Sequence, residues 1–186
     1  MIPKLDPFTL MMDMQRGHLD PDMGSVERRL SDMQGMYLVD DDEPDRLIYR
    51  VFLMPVPEHN SEIQCSTTIL EPGTVGDEFH MTKGHFHQVR DRSEVYVGLA
   101  GEGMLVMGTE DGRHAVEPIA PGTVNYVPGG WAHRSVNVGE EPLVFFAAYV
   151  GDAGHDYATI ETEGFPVVVL KGENGAQVVP NNRYRR

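Results

Sequence analysis

From Leu47 onward the apolar residues fall into short runs of strand length, broken by Gly, Pro and Asp positions. Runs of this kind cover residues 47–56, 64–70, 78–82, 94–100, 104–108, 113–118, 124–127, 133–138, 143–150 and 167–170, and each predicts a β-strand. Gly101-Glu102-Gly103 and Glu110-Asp111-Gly112 supply hairpin turns, because Gly accepts the positive φ that tight turns demand. Many short strands at close spacing predict an antiparallel sandwich or barrel. The chain before residue 47 has a different texture. Up to about Pro21 it is rich in Met, Pro and Asp without a period, which predicts an extended arm. Ser25 to Met33 predicts a short helix capped by Ser25, and Asp40 to Asp45 a solvated acidic loop. Residues 1–46 are thus expected to form an arm, a short helix and a loop, and residues 47–186 a β-barrel, within a single domain overall.

A chain of 186 residues, 40% hydrophobic, can bury one sizeable core. Its 29 acidic and 15 basic residues leave a net charge of -14, which opposes binding to nucleic acid or to anionic membrane surfaces. The longest apolar stretch, Leu143 to Val150, has strand length and is too short for a membrane helix. Cys65 is the single cysteine and cannot close an internal disulfide, and the N-terminus offers no signal-peptide core. The expected location is cytoplasmic.

The candidate chemistry lies in His85-Phe86-His87, in Glu94, and in Pro128-Gly129-Gly130-Trp131-Ala132-His133. In an extended strand alternate side chains share a face, so His85 and His87 project together, as do Glu94 and Tyr96 on a second strand. A third strand would bring in His133. Three imidazoles and one carboxylate make a complete set of protein ligands for one divalent transition metal, and this set suits Fe, Mn, Ni, Zn or Cu. A His-x-His pair alone says little in a chain with eight histidines. The surrounding spacing adds weight: Glu94 is followed by Gly101, and Gly122, Pro128, Gly130, His133 and Asn137 form a second spaced block. These blocks resemble the two motifs of the cupin superfamily, which implies a double-stranded β-helix, or jelly-roll barrel. The second block fits fully. The first has a longer gap between His87 and Glu94 and has no Gly at the superfamily's usual place upstream of His85, which points to a subfamily.

Thr82-Lys83-Gly84-His85-Phe86-His87 and Glu94-Val95-Tyr96 resemble the signature segments of the cupin-type phosphoglucose isomerases of archaea and some bacteria. Arg29-Leu30-Ser31-Asp32-Met33, Thr67 to Gly73, Trp131 to Arg134 and Asp152 to Tyr157 extend the likeness from about Ser25 to the end of the chain. The resemblance implies a metal-dependent aldose-ketose isomerase that interconverts glucose 6-phosphate and fructose 6-phosphate in glycolysis and gluconeogenesis. It implies one divalent metal per subunit on His85, His87, Glu94 and His133, with Fe(II) first and Mn(II), Ni(II) or Zn(II) as alternatives. It carries phosphate or sugar contact onto Tyr49, Thr68, Thr82 and Gly84. Tyr96 is expected beside Glu94, donating to a sugar hydroxyl or orienting the carboxylate. Tyr149, with His155 and Tyr157 in the turn after its strand, falls at the sugar-binding end, where His155 would assist ring opening. A homodimer is implied as well.

Two routes for the hydrogen stay open at this level: Glu94 takes the C2 proton through a cis-enediol, or a hydride moves directly from carbon to carbon. Phosphate binding must overcome the negative charge of the whole chain, and Lys83, Thr68, Thr82 and the backbone near Gly84 are the local groups available. Alternative readings are another cupin metalloenzyme, a dioxygenase or sugar epimerase, and a non-catalytic sugar-binding cupin. His18, His59, His80 and His114 read as structural or exposed, Met11, Met12 and Met14 as adaptable packing, and Trp131 as a core anchor.

Overall fold

The computed structural model describes residues 5–40 and 44–185. The first four residues of the expected arm and the middle of the expected acidic loop lie outside the described residues. The described elements begin with a small hairpin, β1 (Met11–Met12) and β2 (Leu19–Asp20), followed by β3 (Ser25–Arg29) and a 3₁₀ turn at Leu30–Met33. The strands β4 (Leu47–Leu53), β5 (Ile63–Leu70), β6 (Thr74–Val75), β7 (Glu78–Phe79) and β8 (Glu94–Ala100) come next. Then come β9 (Gly103–Thr109), β10 (His114–Ile119), β11 (Val124–Val127), β12 (Trp131–Asn137) and β13 (Leu143–Val150). Helix α1 (Tyr157–Glu163) and the hairpin β14 (Val167–Gly172) and β15 (Gly175–Pro180) complete the chain.

Two antiparallel sheets face each other. One runs β11-β8-β13-β5-β4-β3, the other β10-β9-β12. The segment around residues 80–86 extends the second sheet through bridges Met81 to Val136 and His85 to His133. From β5 onward the chain repeatedly crosses between the two sheets: β5, the 80–86 segment, β8, the β9–β10 hairpin, β11, β12 and β13. That order is a jelly roll, an all-β barrel of two facing sheets. A smaller sheet, β15-β14-β7-β6, packs at one side.

The alternation of the strands puts Leu70, Leu105, Val127, Leu143 and Phe145 between the sheets, each nearly or fully buried. A second apolar cluster, Phe52, Ile69, Leu99 and Val144 with Leu19, lies on the outer face of the six-stranded sheet. The N-terminal hairpin covers part of it, with Leu10 and Met12 packed against the cluster. Most predicted strands hold as elements with ends shifted by a few residues, but the 78–82 run breaks into the two-residue β7 and an isolated bridge at Met81, and β15 falls outside the predicted runs; the first strand stops at Leu53, just before Pro55, which cannot donate to a ladder.

One expected element is wrong in type. Ser25 to Met33 is not a helix capped by Ser25: Ser25–Arg29 is the edge strand β3, paired with β4, and only Leu30–Met33 turns helically. The exposed edge of β4 offers a ladder of backbone partners that no sequence window displays, and an ion pair between Arg50 and Glu27 at 2.5 Å joins the two strands. The turn expected to hold Tyr157 is also shorter than foreseen, because Tyr157 opens α1. Asp156 caps that helix by accepting from the Thr159 N-H at 3.2 Å.

Candidate active site

His85 and His133 are joined across two strands by reciprocal backbone hydrogen bonds, His85 N to His133 O at 3.2 Å and His133 N to His85 O at 3.0 Å. Their rings lie 4.5 Å apart between centroids, and the His87 ring is 5.6 Å from that of His85 and 5.2 Å from that of His133. Glu94, the first residue of β8, brings its carboxylate into this group. His87 Nε2 and His133 Nε2 are each 3.0 Å from Glu94 Oε2. The His87 approach has hydrogen-bond geometry, whereas the His133 approach is a close contact outside it. One donor atom from each of His85, His87, Glu94 and His133 falls within 4.8 Å of the others, so the predicted ligand set converges.

Local structure explains this convergence. Gly84 has φ +73°, and a Cβ there would lie 2.7 Å from the Phe165 ring, 2.8 Å from Arg134 Cβ and 3.0 Å from His133 O. Only glycine permits the close approach that registers His85 on His133. On the other side, Phe86 bridges Asp156, and Asp156 Oδ2 accepts from the Arg90 guanidinium at 2.5 Å. This clamps the loop before β8.

The cluster fits a bound cation. The His87 and His133 rings each direct Nδ1 at a backbone carbonyl, Arg92 O at 2.9 Å and Trp131 O at 3.3 Å, the arrangement that leaves Nε2 free to ligate. Nε2 of His85 and of His133 has no hydrogen-bond partner among the described residues, although both atoms are buried. Buried polar atoms without partners are uncommon, and a metal would satisfy both. The donors are imidazole and carboxylate with no thiolate, a set for Fe, Mn, Ni or Zn.

The electrostatics of the metal-free cluster are mutual. Burial pushes the Glu94 carboxyl up, but the His133 and His87 imidazoles outweigh it and hold the carboxyl well below its ordinary range. Burial pushes His87 down, yet its hydrogen bond to Glu94 raises it overall. Burial lowers His85 strongly, with His133 and His155 adding to the effect. Burial also lowers His155, which is therefore neutral near pH 7. Burial and the Glu94 charge keep the Tyr96 phenol protonated.

His85, Glu94 and His133 of the cluster line a cavity of about 430 Å³ between the two sheets. Tyr96 and Tyr149 border it from the six-stranded sheet, and Tyr149 lies opposite Glu94 in the ladder, with Gln64 on its other side. His155 and Tyr157 stack with their planes 6° apart, and His155 is 4.4 Å from the His85 ring, so the predicted sugar-end trio does assemble around the ligands. Thr68, Thr82, Gly84 and Tyr49 border the same cavity, the Tyr49 hydroxyl 3.5 Å from Lys83 N. Lys83 itself turns away: its ammonium pairs with Glu161 at 3.2 Å. Trp131 is only partly buried and carries Arg113 over its ring at 5.5 Å.

Sequence reasoning missed several cavity residues. Gln64 and Ser66 share the face of Thr68 on β5 and border the cavity, a relationship the strand alternation itself contained. Arg28 borders it too, from a segment expected to be helical.

A family model described as glucose-6-phosphate isomerase (GPI) matches residues 27–185. This chain belongs to the glucose-6-phosphate isomerase family. A glucose-6-phosphate isomerase of Pyrococcus furiosus is 43% identical over 97% of this chain and 98% of its own length. One from Thermococcus litoralis is 42% identical over 95% of each chain, and one from Sinorhizobium medicae 33% identical over 97% of this chain and 89% of its own. Among solved structures, an oxalate decarboxylase from Bacillus subtilis superposes with a TM-score of 0.45 at 23% identity, covering 57% of this chain and 26% of the other.

Proposed function

We propose that this family member is a metal-dependent aldose-ketose isomerase that interconverts glucose 6-phosphate and fructose 6-phosphate in glycolysis and gluconeogenesis. The observation that carries the metal-dependent reading is the convergence of His85, His87, Glu94 and His133 beside a cavity whose wall mixes apolar side chains with the hydroxyls of Ser66, Thr68, Thr82 and Tyr149. The relatives described above all bear the isomerase name over nearly their whole lengths, which leaves the dioxygenase, epimerase and non-catalytic readings without support.

The ladder gives the substrate a direction. Gln64 is level with Tyr149 and Glu94, and Thr68 is four residues further along β5. At a rise of roughly 3.3 Å per residue this separation is about 13 Å, enough for a hexose chain and its terminal phosphate. In this orientation C1 and C2 are level with Glu94 and the phosphate is toward Thr68 and Tyr49, with Thr82 and the Gly84 backbone, which abuts the His133 carbonyl, as further donors. Hydroxyls and backbone N-H groups there give charge-assisted hydrogen bonds to the phosphate oxygens.

A divalent ion on His85, His87, Glu94 and His133, with Fe(II) or Mn(II) best suited and Ni(II) or Zn(II) as alternatives, would act as a Lewis acid toward adjacent sugar oxygens. The side chains of the chain supply the proton chemistry. Going from aldose to ketose, the C2-H bond breaks and a C1-H bond forms, while the O2 hydroxyl loses a proton and O1 gains one. A carboxylate held as strongly acidic as Glu94 is a poor base for a carbon acid. We therefore assign Glu94 to ligation and favour transfer of the hydrogen with its electron pair from C2 to C1. Neutral His155 accepts the hydroxyl proton, both here and in ring opening, and the protonated Tyr96 phenol donates to a sugar oxygen. Tyr149 and Tyr157 orient the sugar hydroxyls.

A homodimer is part of this reading. The edge strand β11 exposes Val124 and Tyr126, at 69% and 61%, and Val97 and Phe146 on the same sheet are only partly buried. An apolar sheet face beside an open edge suits pairing with a second copy. Among the described residues no helix is long and apolar enough to cross a membrane, and the unpaired Cys65 accords with a cytoplasmic location.

The deciding experiment is a coupled assay on fructose 6-phosphate before and after chelation, with separate readditions of Fe(II), Mn(II) and Zn(II). Loss on chelation and recovery with at least one ion are expected. Full activity in metal-free protein would overturn the metal-dependent reading.

A further inference from the structure

Arg28 is the one lysine or arginine side chain on the wall of the cavity among the described residues. It is carried there by β3, the outermost strand of the six-stranded sheet, where Arg28 pairs with Tyr49 and Val26 with Val51. All four residues border the cavity. Glu27, between Val26 and Arg28, points the other way and pairs with Arg50 at 2.5 Å. That outer ion pair sets the alternation of the strand, so a slip of one residue would cost the pair and turn Arg28 outward. The register shifts immediately after Arg28, and bulges at sheet edges commonly re-aim a side chain beside a site.

The cations nearest the motif and the neighbouring strand are paired with carboxylates, and Arg28 is not. Arg29 is held by Asp45, Arg90 by Asp156 and Glu110, Arg92 by Asp152, and Lys83 by Glu161. Arg28 meets no carboxylate among the described residues; its one hydrogen bond is from Nη1 to the Glu27 carbonyl at 3.0 Å. Its charge reaches the cavity interior, where it opposes the upward push of burial on the Tyr49 and Tyr157 phenols. In a chain at -14, and on a wall that also carries Glu58, this partly buried guanidinium is left with its charge available to an anion entering the cavity.

We propose that Arg28 is a specificity-determining residue that binds the phosphate dianion of the substrate and discriminates phosphorylated from unphosphorylated hexoses. This rests on the isomerase reading and adds to it the cation that the hydroxyl and backbone donors lack. The planar guanidinium offers paired N-H donors to phosphate oxygens. It also explains why the chain adds a strand beyond β4: that strand delivers positive charge to the phosphate end without placing it near the histidines.

The test compares wild type with Arg28→Gln, Arg28→Lys and, as a control for net charge, Lys171→Gln, at the exposed position of β14. KM and kcat are measured for fructose 6-phosphate and for fructose, with inorganic phosphate as competitive inhibitor. For Arg28→Gln the expected result is a KM for fructose 6-phosphate raised roughly 10- to 100-fold, the range for a lost charged hydrogen bond. kcat should be little changed, phosphate inhibition weakened by a similar factor, and kcat/KM on fructose unaltered. Arg28→Lys should recover much of the loss and Lys171→Gln should match wild type. A wild-type KM in Arg28→Gln, or equal losses on both sugars, overturns the proposal. If the wild type does not convert fructose 6-phosphate, the isomerase reading fails by itself. Protection against thermal unfolding by inorganic phosphate, compared between wild type and Arg28→Gln, then still decides the role of Arg28.

Discussion

His85 and His133 hold each other by a two-way backbone hydrogen bond, so two of the four proposed metal donors are positioned by main chain and not by side-chain packing. A side-chain substitution at either position therefore leaves the scaffold intact and removes one donor. His133→Ala is expected to keep the native fold by circular dichroism, while metal content per chain and kcat/KM both fall at least roughly 100-fold, beyond the usual effect of outer-sphere changes. Full metal content with full turnover would remove His133 from the site.

Gly84 is the weak point of the same arrangement. Alanine there must take φ near +73° and push a methyl group against Phe165, Arg134 and the His133 carbonyl. Gly84→Ala is expected to lose about 2 to 4 kcal/mol of stability in urea unfolding, from left-handed backbone strain plus overpacking. An unchanged unfolding midpoint would show that the turn relaxes freely.

Hydrogen transfer can be read directly. With Glu94 held far below its ordinary range, little exchange with solvent is expected during turnover. Isomerisation in deuterated water should leave C1 and C2 essentially unlabelled by NMR over several turnovers. Extensive label would return Glu94 to the role of exchanging base.

Glu78 gives a pH prediction away from the metal site. It is buried, and burial raises its pKa above 4.5 despite opposing help from the Leu38 N-H and Arg134. The folded protein thus holds this proton more tightly than the unfolded chain does. Its contribution to stability is present below pH 4.5 and is lost as the pH rises through the raised value. The unfolding free energy of Glu78→Gln minus that of wild type is expected to increase between pH 4.5 and 7. A flat difference would mean that Glu78 titrates alike in both states.

The edge formed by β11 tests the oligomer. Sedimentation at micromolar concentration is expected to give twice the 20.7 kDa chain mass, and Tyr126→Lys, which places a charge on the exposed edge, should shift it toward one chain. A single-chain mass for the wild type would remove the dimer.

Much of the site was legible before the fold was known. His85, His87, Glu94, Tyr96 and His133 could be grouped because strand geometry repeats every two residues, and a gap of two is visible in any window of sequence. Thr68, Gln64 and Ser66 obey the same alternation on β5, so the shared face of all three is present in the sequence as well. Arg28 is a different case. Its segment has a helix-like start at Ser25, and only the free edge of β4 made it a strand. Lys83 is the converse: adjacent to the motif in sequence, it is drawn to Glu161 on α1, far away along the chain.

Most of the strand runs, the turns, the negative charge and the candidate metal donors are legible in the sequence alone, because these follow from period, glycine placement and residue chemistry within short windows. Tertiary structure alone decided that His85 registers on His133, that β3 turns Arg28 toward the cavity, and that Lys83 faces outward. Each of these depends on which strand edge lies beside which. That choice minimises unpaired backbone and exposed apolar surface over the whole molecule, so no local pattern encodes it.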